Sequence, residues 1–191
     1  MATSTEISSV DEALKTLLYK SISADLTVKA LILRPDQITF LLPKQAETQQ
    51  GTQLSIYLYN ITLNQSSRNT PTVNAVGQRM LPPLCVDLHY LFTPISKDPK
   101  SNHILITKVM QVLAETPVLQ ENGSALEITM EQLSIDDLNK LWTILASPYR
   151  LSLSYRVAGV TIQLAPKQET QHVIKQKAKA KPNLLNLSIL P

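Results

Sequence analysis

Asp87 and His89 stand two residues apart in a run of alternating apolar residues, so a strand would put both on one face. An imidazole beside a carboxylate can serve as a general base with its orienting group, or as half of a metal site. A metal needs three or four ligands, and His103 and His172 show no spacing that supplies the rest. The pair is therefore taken as the polar face of a half-buried strand. Asp136 and Asp137 are adjacent acids, but neighbouring helical positions point in different directions, and a helix start accounts for both. Cys85 is the single cysteine; it permits no intrachain disulfide and no thiolate cluster, and reads as a packing residue. The four glycines, Gly51, Gly77, Gly123 and Gly159, are isolated, so no phosphate-cradling loop can be assembled from them. No catalytic, cofactor-binding or metal-binding constellation emerges, and a non-enzyme with no cofactor and no small-molecule substrate is expected.

The elements that carry these residues follow from periodicity. Ser9-Val10-Asp11-Glu12 has the form of a capping box, and Val10, Ala13, Leu14, Leu17 and Leu18 form one helical stripe that fades near Lys20. Strands are expected over Thr27–Leu33, Gln37–Leu42 and Leu54–Leu63, the last apolar on both faces and so a central, covered strand. Leu84–Thr93 alternates, with Leu84, Val86, Leu88, Tyr90 and Phe92 on one face and Cys85, Asp87, His89, Leu91 and Thr93 on the other. Asp98-Pro99 reads as an N-cap with Pro at N1, opening a helix with the stripe Ile104, Leu105, Val109, Val112 and Leu113 that Pro117 closes. Leu126, Ile128 and Met130 mark a half-exposed strand. Ser134 opens a third helix, whose buried face is Ile135, Leu138, Leu141, Trp142 and Leu145. A last strand turns Leu151, Leu153, Tyr155 and Val157 inward and runs on as far as Leu164. The order is an α+β fold: a mixed, mostly antiparallel sheet packed by about three helices.

The residues split into a body, 1–164, and an arm, 165–191. The net charge of +3 belongs to the arm, which holds five lysines against Glu169 alone; the remaining 164 residues carry 13 basic and 14 acidic groups. Met1–Ser9 has neither a basic start nor an apolar run, so no signal peptide is expected, and no stretch is apolar enough to span a membrane. Lys175, Lys177, Lys179 and Lys181 alternate, so an extended backbone lines them along one edge, where they either are solvated or hold an anionic partner. A nucleic-acid- or anionic-surface-binding module acting through this tail is the alternative function, although no aromatic residue is interleaved for stacking on bases. Residues 184–190 then turn apolar, with Leu185, Leu187 and Ile189 alternating with Asn186 and Ser188. So short a strand-like segment either folds back on its own sheet or adds to the sheet edge of a neighbour. The long polar connection 64–83, with Arg68 and Arg79 and no acid, is either a mobile surface loop or a contact arm to a neighbouring protein.

Two stretches resemble a known family. Pro82-Pro83-Leu84-x-Val86-Asp87-Leu88-x-Tyr90-Leu91-x-Thr93 is similar to a signature of the cap, or tail-terminator, proteins of phage-tail-like contractile injection systems. So is Leu138-x-Lys140-Leu141-Trp142, followed by Ser147-Pro148-Tyr149-Arg150-Leu151-Ser152-Leu153-x-Tyr155-Arg156-Val157. The opening helix at 9–20 and the strand Leu54-Ser-Ile-Tyr-Leu-Tyr59 match as well, so the resemblance spans residues 8–164. It implies a structural protein assembled in the cytoplasm as part of a phage-tail-like particle. Such caps form a ring, typically sixfold, on the last layer of the inner tube and sheath, with tube protein, sheath protein and other copies of itself as partners. Sheath subunits in these machines exchange terminal strands, so the resemblance favours strand addition by Leu185, Leu187 and Ile189 to sheath. The resemblance makes Arg68 and Arg79 candidates for contact with the next subunit or the tube, although the Asn-rich loop 64–83 departs from the Arg-rich stretch of the family.

Overall fold

The first helix, α1 (Glu6–Ala24), buries Val10, Leu14, Leu18 and Ile22, one side chain per turn along a single line. The computed structural model describes residues 6–64 and 83–162, and α1 already begins at its first described residue. Ser9 therefore lies inside the helix, where its hydroxyl donates back to the Glu6 carbonyl at 2.9 Å; it is no cap. The stripe also runs past Lys20 to Ile22, which a count of apolar spacing up to Leu18 stops short of.

No strand forms over residues 27–33. The Asp25 carboxylate accepts from the Thr27 backbone N–H at 2.9 Å and from its hydroxyl at 2.6 Å, and the chain turns there, with Lys29 N–H donating to the Asp25 carbonyl. The local side-chain bonds outcompete the β-branched preference of Thr27 and Val28. Those bonds and the Lys108 ammonium, 3.0 Å away, hold the Asp25 carboxyl well below the usual carboxylate range. Val28 and Ile32 are still buried, as turn residues packed on the core. The next expected strand shrinks to β1 (Ile38–Thr39) between two proline-started pieces, a 3₁₀ turn at Pro35–Gln37 and α2 (Pro43–Ala46).

The sheet is built from β2 (Gln53–Leu63), β3 (Leu84–Ile95), β4 (Val118–Glu121), β5 (Ser124–Glu131) and β6 (Leu153–Ile162), in the order β1-β2-β3-β6-β5-β4. Every neighbouring pair is antiparallel except β1 with β2. The fold is thus the α+β class expected from the sequence, a mixed and mostly antiparallel sheet. The central covered strand, however, is β3 and not β2. From Asp87 to Ile95 both faces of β3 are buried, polar positions included: helices cover one face, and side chains of the neighbouring strands crowd over the other. β2 is buried only over Gln53–Ile56, and Asn60–Leu63 is exposed.

α1 and α3 (Pro99–Glu115) pack on the same face of the sheet, over Leu54, Ile56, Leu88, Tyr90, Phe92, Ile128, Tyr155 and Val157. α3 starts as expected: the Asp98 carboxylate accepts from Lys100 and Ser101 N–H, and Pro99 takes N1. Leu105, Val109, Val112 and Leu113 are buried, and Ile104 is exposed. Tyr90 reaches α1 from the sheet, its hydroxyl donating to Asp11 Oδ1 at 2.7 Å. Burial pushes the Asp11 carboxyl up and the Tyr90 phenol far up.

The strand β4 has no counterpart in the sequence reading. It pairs with β5 through the two-residue turn Asn122-Gly123, both residues at positive φ (48° and 77°), the geometry of a type I′ hairpin. α4 (Ile135–Ile144) starts at Ser134, whose Oγ accepts from Asp137 N–H. Of its expected buried face only Trp142 is fully enclosed; Leu138, Leu141 and Leu145 are half-buried and Ile135 is 79% exposed. Leu151 likewise lies outside β6 and is exposed, because the strand begins two residues later.

Candidate functional site

The polar face of the sheet, opposite α1 and α3, gathers the residues whose chemistry the sequence singled out. β3 places Asp87 and His89 there; β6 adds Ser154 and Arg156, β5 adds Glu131, and the outer half of β2 adds Tyr59 and Thr62. Cross-strand pairing fixes this: His89 faces Arg156, and Ser154 faces Glu131, each pair directly opposite in its ladder.

Asp87 and His89 do not pair with each other. His89 Nδ1 lies 2.8 Å from Glu131 Oε2, and its Nε2 lies 2.8 Å from Thr62 Oγ1. A carboxylate only accepts, so Nδ1 carries the proton, and in the neutral ring Nε2 accepts a hydrogen bond that the Thr62 hydroxyl donates. Glu131 Oε2 also accepts from Ser154 Oγ at 3.2 Å and Tyr59 Oη at 3.4 Å, and Tyr59 Oη sits 2.8 Å from Ser154 Oγ. Burial, with the Glu131 charge adding to it, pushes the Tyr59 phenol up. Asp87 Oδ1 accepts from Asn64 Nδ2 at 2.9 Å and from the Gly159 N–H at 3.2 Å, with Arg156 Nη1 3.9 Å from the other oxygen.

Two bulges make these bonds reachable. In β6, Val160 pairs with Val86 and Val157 with Leu88, so Ala158 and Gly159 together oppose the single residue Asp87. Gly159 takes φ +89°, which a side chain would strain, and turns its N–H toward the Asp87 carboxylate. In β2, Tyr59 is the extra residue between the Leu58–Tyr90 and Asn60–His89 pairs, which aims its phenol across β3 at Ser154 and Glu131.

A hydroxyl, an imidazole and a carboxylate in line have the geometry of an activated nucleophile. Here the carboxylate is shared among three donors from three strands, and two clefts among the described residues, of about 830 and 330 Å³, are lined by other residues. Among the described residues no group of three or more His, Cys, Asp and Glu side chains could hold a metal ion. What the arrangement does is tie β2, β3, β5 and β6 together through shared hydrogen bonds, which fixes strand register, although the buried Arg156 Nε has no hydrogen-bond partner. Replacing His89 with alanine removes one of the three donors to Glu131 and the partner of Thr62, and should lower unfolding free energy by about 1–3 kcal/mol. Urea denaturation of the variant against the parent chain measures it.

The motif residues are likewise packing residues. Leu88, Tyr90 and Phe92 are fully buried, and Trp142 meets Tyr149 edge-on with ring centroids 6.2 Å apart. Arg150 pairs with Glu47 on the wall of an open cleft of about 830 Å³, and Lys44 Nζ donates to the Ala146 carbonyl at 3.2 Å, so both contacts tie the segment after α4 to the α2 region. Cys85 is half-buried on β3, its sulfur 3.6 Å from Thr161 Oγ1. Arg68, Arg79, the four lysines Lys175, Lys177, Lys179 and Lys181, and the arm residues Leu185, Leu187 and Ile189 all lie outside the described residues.

A family model described as the Pvc16 N-terminal domain matches residues 9–176. The chain belongs to that family. No curated protein matches it. Among solved structures, the fold is similar to the sheath/tube terminator of PVC, an extracellular contractile injection system, in its extended state, with TM-score 0.65 and 22% identity. It is also similar to the tube-terminating cap of the anti-feeding prophage, with TM-score 0.61 and 22% identity. Each match covers 95% of this chain, which spans 65% and 60% of those two chains. The resemblance to cap proteins made on the two sequence motifs and this membership in the Pvc16 N-terminal domain family agree. Among the described residues no helix is long and apolar enough to cross a membrane.

Proposed function

We propose that this chain is a structural cap of a contractile injection particle, ending the inner tube and anchoring the last sheath layer. The observation that carries the reading is the fold shared with a sheath/tube terminator and a tube-terminating cap over 95% of the chain. The polar face of the sheet supports it: its ionisable groups are consumed in holding strands together, as suits a platform that does no chemistry. In this reading the body, residues 1–164, forms a homo-oligomeric ring, hexameric by the family resemblance, whose heterologous interfaces close by rotation. The nearly neutral body avoids self-repulsion in such a ring. The arm, 165–191, carries Leu185, Leu187 and Ile189 to sheath subunits as an added strand, and Lys175, Lys177, Lys179 and Lys181 lie along its approach. Arg68 and Arg79 lie in the connection offered to the tube or to the next subunit. The particle is assembled in the cytoplasm.

Deleting residues 182–191 separates the two halves of this reading. The truncated protein should still form the ring by native mass spectrometry, while sheath recovered with it falls at least tenfold. Unchanged sheath recovery would remove the arm from the account, and a monomer at every concentration would remove the ring.

A further inference from the structure

One edge of β2 is bonded to β3 along its length, and the other meets β1 only at Leu54 and Ser55. From Ile56 to Leu63 that second edge has no strand beside it among the described residues. Exposed edges are ordinarily blunted by charge or proline, because their free N–H and C=O groups recruit any passing strand. β2 carries neither a charged residue nor a proline from Gln53 to Leu63. Its two faces also differ. Leu58, Ile61 and Leu63 pair with Tyr90, Leu88 and Val86 and so point to the helix side, where Ile61 and Leu63 are 48% and 49% exposed. Asn60 and Thr62 point to the polar side.

Residues 184–190 alternate in the same way, with Leu185, Leu187 and Ile189 against Asn186 and Ser188. A strand of that pattern laid along β2 would cover Ile61 and Leu63 with its apolar face and continue the polar face with the other. The chain leaves the sheet at the right end: Ile162 pairs with Leu84, and Leu63 with Val86, so β6 ends beside the outer half of β2. The open position lies three strand spacings from β6, about 14 Å. The connecting residues, 163–183, are 21 in number. A chain of that length spans about 25 Å as a coil and about 70 Å extended. Tethering at that range sets an effective concentration on the order of millimolar, far above any protein concentration in solution.

We propose that in the free chain residues 184–190 occupy the β2 edge of the same molecule. The edge is thereby closed against aggregation, and the strand that the cap reading assigns to sheath is held back until a competing acceptor displaces it. Only that last consequence rests on the cap reading; the occupancy itself does not.

Hydrogen exchange read by mass spectrometry on the full chain, on the chain lacking 182–191, and on Leu187→Lys tests it. Peptides covering 56–63 should exchange at least tenfold faster in both variants, with peptides from β3 and β6 unchanged. A synthetic peptide of residues 182–191 at millimolar concentration should restore the protection of the truncated chain. Equal exchange in all three proteins overturns the proposal. Protection that disappears on tenfold dilution also overturns it, placing the segment of a second copy on the edge. Loss of sheath recovery without any change in exchange would leave the cap reading standing and this one refuted.

Discussion

Replacing Phe92 with alanine should destabilise the body by about 3–5 kcal/mol, measured as a lowered midpoint in urea or guanidinium denaturation. Phe92 is fully buried on β3, which has a strand on either side and both faces covered, so no loop is at hand to collapse into the space. Its ring meets Tyr155 edge-on with centroids 5.5 Å apart and lies 6.5 Å from Tyr90, which in turn binds Asp11 on α1. The loss thus includes ring–ring contacts as well as burial. Against the roughly 5–15 kcal/mol that folds a domain, this is a large fraction. Phe92→Leu, which keeps most of the volume, should recover more than half of it. A cost below about 1 kcal/mol for the alanine variant would mean that the face of β3 toward α1 and α3 is not packed as described.

The features readable in the sequence are those set by neighbours in the chain. Asp98-Pro99 and Ser134 announce α3 and α4 because capping is a contact between residues two or three apart. The alternation of Leu84–Thr93 correctly divides β3 into two faces, although not their burial, which depends on β2 and β6 lying on either side. Thr27–Val28 misleads because Asp25, two residues earlier, ties the backbone into a turn that propensity alone does not register. Asn122-Gly123 was a legible hairpin signal, and weighing Gly123 only as an isolated glycine passes over β4. The polar network shows the opposite limit. His89 and Asp87 stand out by spacing, but their partners, Glu131, Thr62 and Gly159, are chosen by the order β2-β3-β6-β5 and by two bulges. Nothing local in the sequence carries that information, so spacing alone places the pair on a polar strand face and leaves its partners to the assembled sheet.

The second large effect is on the particle. In the cap reading, the ring occupies the end of tube and sheath where the next layer would otherwise add. A chain that only decorated the particle would leave its length alone, whereas in this reading loss of the cap removes the block on both tube and sheath growth. Particles assembled without it should therefore show a broad length distribution, and sheath should detach or contract out of step with the tube. The chain lacking 182–191 should restore the tube end better than the sheath end, because in the cap reading the ring and the arm act on different partners.

The most direct measurement is electron microscopy of particles purified with and without this chain, scoring length and the density at the end of the tube. A narrow length distribution with a ring of density at one end is expected when the chain is present. In its absence the ring should be missing, and lengths should spread at least severalfold. Particles of unchanged length carrying an unchanged terminal ring without this chain would contradict the cap reading.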